Sequence, residues 1–224
     1  MRTRRHATAR AALLPVLMQQ LLYQLADSAF PAGSFAHSLG LEALRGLGLL
    51  AGERELALRL SELTWHSAYA MLPFLDDAHA GDPERADRAL DRFLSSHVAN
   101  RASRAQGRAF AIAAEAMLDA RVDLPYGHHA ATLGVVLARA GVSLDDARQL
   151  AMFGVLRSAV SAAVRLGVVG PLRAQRMLLD VAPIAERALA GTRALRAEDA
   201  RSLSPLVDLA QAAHDRLYAR LFQS

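Results

Sequence analysis

Apolar residues in this chain recur at intervals of three and four, and no segment sustains the strict alternation of a strand. That periodicity restricts the chain to packed helices. Composition agrees: 53% of residues are hydrophobic but only 5% are aromatic, which suits an Ala/Leu-rich helical core rather than a sheet. The 224 residues are enough to bury a sizeable core. The expected architecture is all-α, a single compact helical-bundle domain of about nine to ten helices over residues 13–224. A short flexible basic arm, residues 1–12, precedes it.

The stretch Leu22–Glu42, LYQLADSAFPAGSFAHSLGLE, holds the sharpest turn signal in the chain. A first helix, with Leu14, Leu17, Met18, Leu21, Leu22 and Leu25 at helical spacing, stops at Asp27. Pro31 fixes φ and Gly33 tolerates φ > 0, so the chain turns sharply between them. Ser34 then caps a second helix that ends near Gly46–Gly48. Further helices are predicted over 53–70, continuing with a bend at Pro73 to His79, then over 83–97, 100–118, 128–140 and 144–166. Asp82-Pro83, Gly170-Pro171 and Ser204-Pro205 read as helix starts. Ser143 and Asp146 resemble a capping box. The helix from Pro171 bends at Pro183, and the last helix runs from Ser204 almost to the end. The polar link 191–203 reads as mobile.

Residue inventory excludes several chemistries. There is no cysteine, hence no disulfide or thiolate site, which fits a reducing, cytoplasmic setting. There is no lysine either, so all 26 basic residues are arginine and neither a P-loop lysine nor a Schiff base is available. The net charge of +4 is spread among interleaved acids, as on solvated helix faces. No apolar run reaches the roughly 18 residues of a membrane span. The arm MRTRRHATAR carries four arginines, but the segment after it lacks a cleavage site.

No catalytic or cofactor-binding constellation emerges. Adjacent His128 and His129 point about 100° apart on a helix and make a poor chelate. Asp76 and His79 share a face, like half of a metal-binding pair. His37, His128 and His129 are the histidines to watch at a subunit seam; no metal site is assigned to them. Ser158 and Ser161 read as small residues that let helices approach. In the last helix, Leu206, Leu209, Ala213, Leu217 and Leu221 form an apolar stripe, with Arg216 and Arg220 on the polar side. Phe222 either docks on its own domain or is offered to a partner with Leu221 and the two arginines.

Four blocks in order resemble the urease accessory protein F (UreF) family. They are DSAFPAGSFAHSLGLEAL, SRAQGRAF from Ser103, GHHA from Gly127 with SAAVRLGVVGPLRAQRML from Ser161, and the terminal SPLVDLAQAAHDRLYARLFQS. Leu39 and Phe110 depart from the family pattern, where Gly or Gln and Leu are more usual; Leu39 is expected to alter the local packing of the second helix without touching the turn, and Phe110 to be absorbed by the core. The resemblance implies a non-enzymatic all-α homodimer without cofactor. It would bind UreD (also called UreH), recruit the GTPase UreG and dock on apo-urease for nickel insertion. It further implies that Arg216, Arg220, Leu221 and Phe222 meet UreD. It gives no role to nucleic acid or membrane. The alternatives are regulation of the partner GTPase, with Arg104 or Arg220 as a finger, a metal-dependent helical enzyme built on Asp76 and His79, and, ranked last, nucleic-acid binding through the arm.

Overall fold

The computed structural model describes residues 16–31, 37–216 and 221–222, with only the backbone of Arg216. It comprises two units, Met1–Phe30 and Pro31–Ser224. In the first, helix α1 covers 16–26. It ends where expected: the Asp27 carboxylate accepts the Ala29 N–H at 2.9 Å, and the Asp27 carbonyl accepts the Phe30 N–H at 3.2 Å. This is an Asx-type turn that satisfies the backbone N–H groups just beyond the helix end.

In the second unit the helices are α2 (Leu41–Gly46), α3 (Glu53–Ala70), α4 (Leu72–His79), α5 (Pro83–Phe93), α6 (His97–Leu118), α7 (His129–Arg139), α8 (Leu144–Arg165), α9 (Pro171–Gly191) and α10 (Pro205–Ala213). Short 3₁₀ turns occupy Ala197–Asp199 and His214–Arg216. Every regular element among the described residues is helical, so the expected fold class holds.

The core is organised around α7. Every residue from Ala130 to Leu137 is buried, because α4, α5 and α6 all pack on it. Gly134 allows a close approach: a Cβ there would lie 2.5 Å from the Leu75 carbonyl oxygen of α4. On the other side, α3 packs on α8 and α9. A buried ion pair ties the two halves together. Arg148 of α8 pairs with Asp76 of α4 and donates to the Leu189 carbonyl (3.0 Å) and Thr192 Oγ1 (2.8 Å) at the end of α9.

Several boundaries differ from the sequence expectation. Gly33 and Ser34 lie outside the described residues, but α2 begins only at Leu41, because Leu39 (φ 54°) and Gly40 (φ 83°) are left-handed. Leu39 therefore stands in a turn, where its Cβ is a burden that Gly would not carry. Helix α5 stops at Phe93 rather than His97. Ser96 is extended, and its Oγ accepts the Ala99 N–H to start α6. Asp82 occupies the cap position of α5 without a side-chain cap bond. The Ser143 cap is as expected, with Oγ accepting the Asp146 N–H at 3.1 Å. The link 191–203 is tied down rather than loose: Arg201 N–H donates to the Tyr69 carbonyl at 3.1 Å, and Ala197 N–H to Asp77 Oδ2 at 3.1 Å.

Candidate functional site: the tail clasp

The inward face of α10 is not the leucine stripe. Val207, Ala210 and His214 are buried, whereas Leu209 is 67% exposed and Leu221 is 61% exposed. One polar contact explains this register. His214 is fully buried and its Nε2 lies 2.9 Å from Glu42 Oε2 of α2. Turning the leucines inward would cost that pairing and strand the Glu42 carboxylate. The turn at Gly40 lies directly beneath α10, where an added Cβ would sit 3.1 Å from Ala210 Cβ.

Glu42 also holds the end of the chain. Its Oε1 accepts the Leu221 N–H at 2.5 Å and its Oε2 the Phe222 N–H at 3.3 Å. Arg165, at the end of α8, donates to the Leu221 carbonyl at 3.3 Å and lies 4.1 Å from the Phe222 ring centroid. Phe222 is thus buried against its own domain while Leu221 faces outward. A single carboxylate that satisfies one imidazole and two backbone donors is a strong acceptor set, because each bond is charge-assisted. Arg216 lies in the 3₁₀ turn before this segment, and Arg220 lies outside the described residues.

His37 enters the same neighbourhood. Burial, with His214 nearby, lowers its pKa to about 4. His129 is also lowered to about 4, by burial first and by His37 second. His37 thus lies within electrostatic reach of both neighbours, and His37 and His129 stay neutral near pH 7. No group of three metal-donor side chains is assembled among the described residues. Asp76 and His79 are engaged separately: Asp76 with Arg148, and His79 Nε2 2.9 Å from the Val142 carbonyl. The half-site read from their spacing is thus a pair of structural contacts.

The SRAQG and GHHA blocks meet in a second clasp. Asp87 of α5 is buried and accepts the N–H groups of Tyr126 (2.7 Å), Gly127 (3.2 Å) and His128 (2.8 Å). Ser103 Oγ accepts the His129 N–H at 3.3 Å and lies 3.1 Å from His128 Nδ1. His128 Nε2 is 3.2 Å from Asp91 Oδ1. Burial lowers the His128 pKa although Asp91 and Asp87 oppose it. Gly107 of α6 passes so close that an added Cβ would lie 2.0 Å from the Gly127 carbonyl oxygen. Phe110 packs edge-on to the His129 ring at 5.8 Å, filling core space as expected of a Leu replacement. Arg104 lies over the Tyr126 ring at 5.5 Å, which gives its guanidinium a structural neighbour. Pro31 is exposed at the start of this unit.

In both clasps the buried polar groups hold loops and the chain end in place, so among the described residues they serve the architecture of an all-α protein. The UreF family model matches residues 7–182. The chain is 34% identical to urease accessory protein F of Arabidopsis thaliana, over 92% of this chain and 93% of that one. It is 30% identical to urease accessory protein UreF of Trichodesmium erythraeum, over 91% and 96% respectively. The chain belongs to the UreF family. It is a urease accessory protein of chaperone type rather than an enzyme, and its role lies in urease maturation. No helix among the described residues is long and apolar enough to cross a membrane.

Proposed function

We propose that this chain is the scaffold on which the nickel-insertion assembly forms. It works in the cytoplasm as a homodimer, binds UreD (UreH), recruits the GTPase UreG and presents both to apo-urease. In this reading residues 13–224 act as one domain, and the tail, Arg216, Arg220, Leu221 and Phe222, belongs to the UreD surface. The observation behind the tail assignment is the contrast between neighbours. Phe222 is 6% exposed and clasped by Glu42 and Arg165, while Leu221 is 61% exposed. A buried aromatic anchor thus fixes the position of an outward leucine, and a pre-positioned apolar contact loses little entropy on binding. The test is co-purification with UreD and UreG. Leu221→Asp keeps the fold and loses UreD. Unchanged UreD affinity for Leu221→Asp, with deletion of Arg220–Ser224 equally silent, refutes the tail assignment.

A further inference from the structure

Helix α9 carries apolar side chains on two opposite faces. Ala174, Met177, Val181, Ala185 and Ala188 are buried against the domain. Leu172, Arg176, Leu179, Pro183, Glu186 and Ala190 are all exposed. At about 100° per residue these six fall within about 40° of one line along the helix, a single outward stripe about 27 Å long. Leu172 is 88% exposed and Leu179 is 68% exposed. Scattered exposed leucines are ordinary, but two on one line with an exposed proline and alanine form a patch. The charges on the stripe are placed symmetrically. Arg176 and Glu186 stand at equal distances on either side of Val181 in sequence, as do Leu179 and Pro183, and Leu172 and Ala190. The Arg176 Nε donates to Asp180 at 2.9 Å within the helix, yet the side chain stays 67% exposed. Glu186 has no ion pair among the described residues.

We infer that this stripe is the seam between two copies of the chain, laid antiparallel about a two-fold axis level with Val181. A closed pair of identical subunits brings one patch against itself, so the patch has to be self-complementary. Run antiparallel, the stripe meets that condition at every position. Arg176 faces the partner's Glu186, and Glu186 faces the partner's Arg176. Leu179 meets the partner's Pro183 at the centre, and Leu172 meets the partner's Ala190 at each end. Beside the stripe, exposed Gln175 comes opposite the partner's Arg187, a neutral acceptor against a cation. A parallel pair would instead set arginine on arginine and glutamate on glutamate, which repel. An unrelated protein would not require a pattern of charges that is its own complement in reverse. The inference rests on the proposed reading of this chain as a homodimer and names the surface that forms it.

Sedimentation velocity of the full chain across a concentration series gives the dimer dissociation constant and tests the seam. Leu179→Asp, at its centre, raises that constant at least about a hundredfold. Arg176→Glu and Glu186→Arg each set like charges opposite one another twice, and each alone raises it at least about tenfold. Mixed in equal amounts, these two single variants complement each other and pair with the parent's affinity, as the double variant does with itself. Urea melts confirm that each variant is folded. The chain has no cysteine, so Ala182→Cys, beside the axis, gives a covalent dimer with a short bismaleimide, whereas Ala116→Cys on α6 gives none. A parent that is monomeric at every concentration overturns the homodimer reading and this inference with it. If the parent dimerises and the stripe variants do so equally well, or if mixing the charge variants gains nothing over each alone, the homodimer reading stands and this seam falls. If Leu179→Asp keeps the dimer and loses UreD, the stripe is a surface for a different protein, and the inference is likewise overturned.

Discussion

Substituting Gly107 with Ala tests the clasp between the SRAQG and GHHA segments. A Cβ at this position would lie 2.0 Å from the Gly127 carbonyl oxygen, 2.8 Å from His128 C and 2.8 Å from His129 N. Ordinary contact requires over an ångström more, and the nearest obstacles are backbone. The loop cannot withdraw cheaply, because Asp87 grips three consecutive N–H groups and Ser103 a fourth. Overpacking costs about 1–3 kcal/mol, and weakening even one charge-assisted bond adds about 1.5–3 kcal/mol. Against this stands about 1 kcal/mol of improved helix propensity. The net expectation is a loss of about 2–5 kcal/mol. Gly154 in α8 is the control, since nothing lies within 4 Å of its would-be Cβ. There the same substitution gains about 0.5–1 kcal/mol. Urea unfolding followed by far-UV circular dichroism, with midpoint and slope compared across the three proteins, gives both values. If Gly107→Ala is as stable as the parent, the close approach of α6 to the loop is wrong and the explanation of both sequence blocks falls with it.

Other perturbations probe different parts of the molecule. His37 has a folded pKa near 4 against 6.5 when unfolded, so the unfolded chain binds more protons between these values and stability falls with acidification. From pH 7.5 to 5.5 the loss from His37 is about 1.3 kcal/mol, with His129 acting in the same direction; His37→Gln flattens the pH dependence of urea midpoints, and a flat parent profile would falsify the assignment. Glu42→Gln removes the charge shared by His214, Leu221 and Phe222, costing about 2–4 kcal/mol; hydrogen exchange at the Leu221 and Phe222 amides rises selectively, and unchanged protection refutes the clasp. Arg148→Met strands the Asp76 carboxylate and costs about 3–5 kcal/mol, most of which the further change Asp76→Leu restores; a double variant no better than Arg148→Met alone argues against the pair.

Much of the helical order is legible in the sequence because its signals are local. Asp27, Pro83, Ser143, Pro171 and Pro205 mark ends through φ restriction and side-chain capping, and the structure places ends at each of them. The misplacements have a common cause. Ser96 looks like any polar residue inside an amphipathic run, yet it becomes a cap because α5 stops at Phe93. Residues 191–203 are polar enough to read as loose. Their order comes from Tyr69 and Asp77, more than 110 residues away in sequence. The leucine stripe of α10 fails for the same reason, because spacing identifies two plausible faces and a distant carboxylate selects one.

The candidate site is harder to read for a related but stronger reason. Its central residue, Glu42, gives no signal in sequence: an acid in the first turn of a short helix is ordinary. What makes it central is that His214, Leu221 and Phe222, which are more than 170 positions away, converge on one carboxylate. Leu39 shows the converse. Its departure from the family pattern is visible in sequence, where it reads as a packing change, but its φ of 54° makes it a backbone matter. That conformation costs a leucine about 1–2 kcal/mol relative to glycine, so it persists only because surrounding contacts fix it. Gly40 beneath Ala210, Glu42 on His214 and Glu42 on the Leu221 and Phe222 amides are those contacts. The turn before α2 and the chain end therefore stabilise each other.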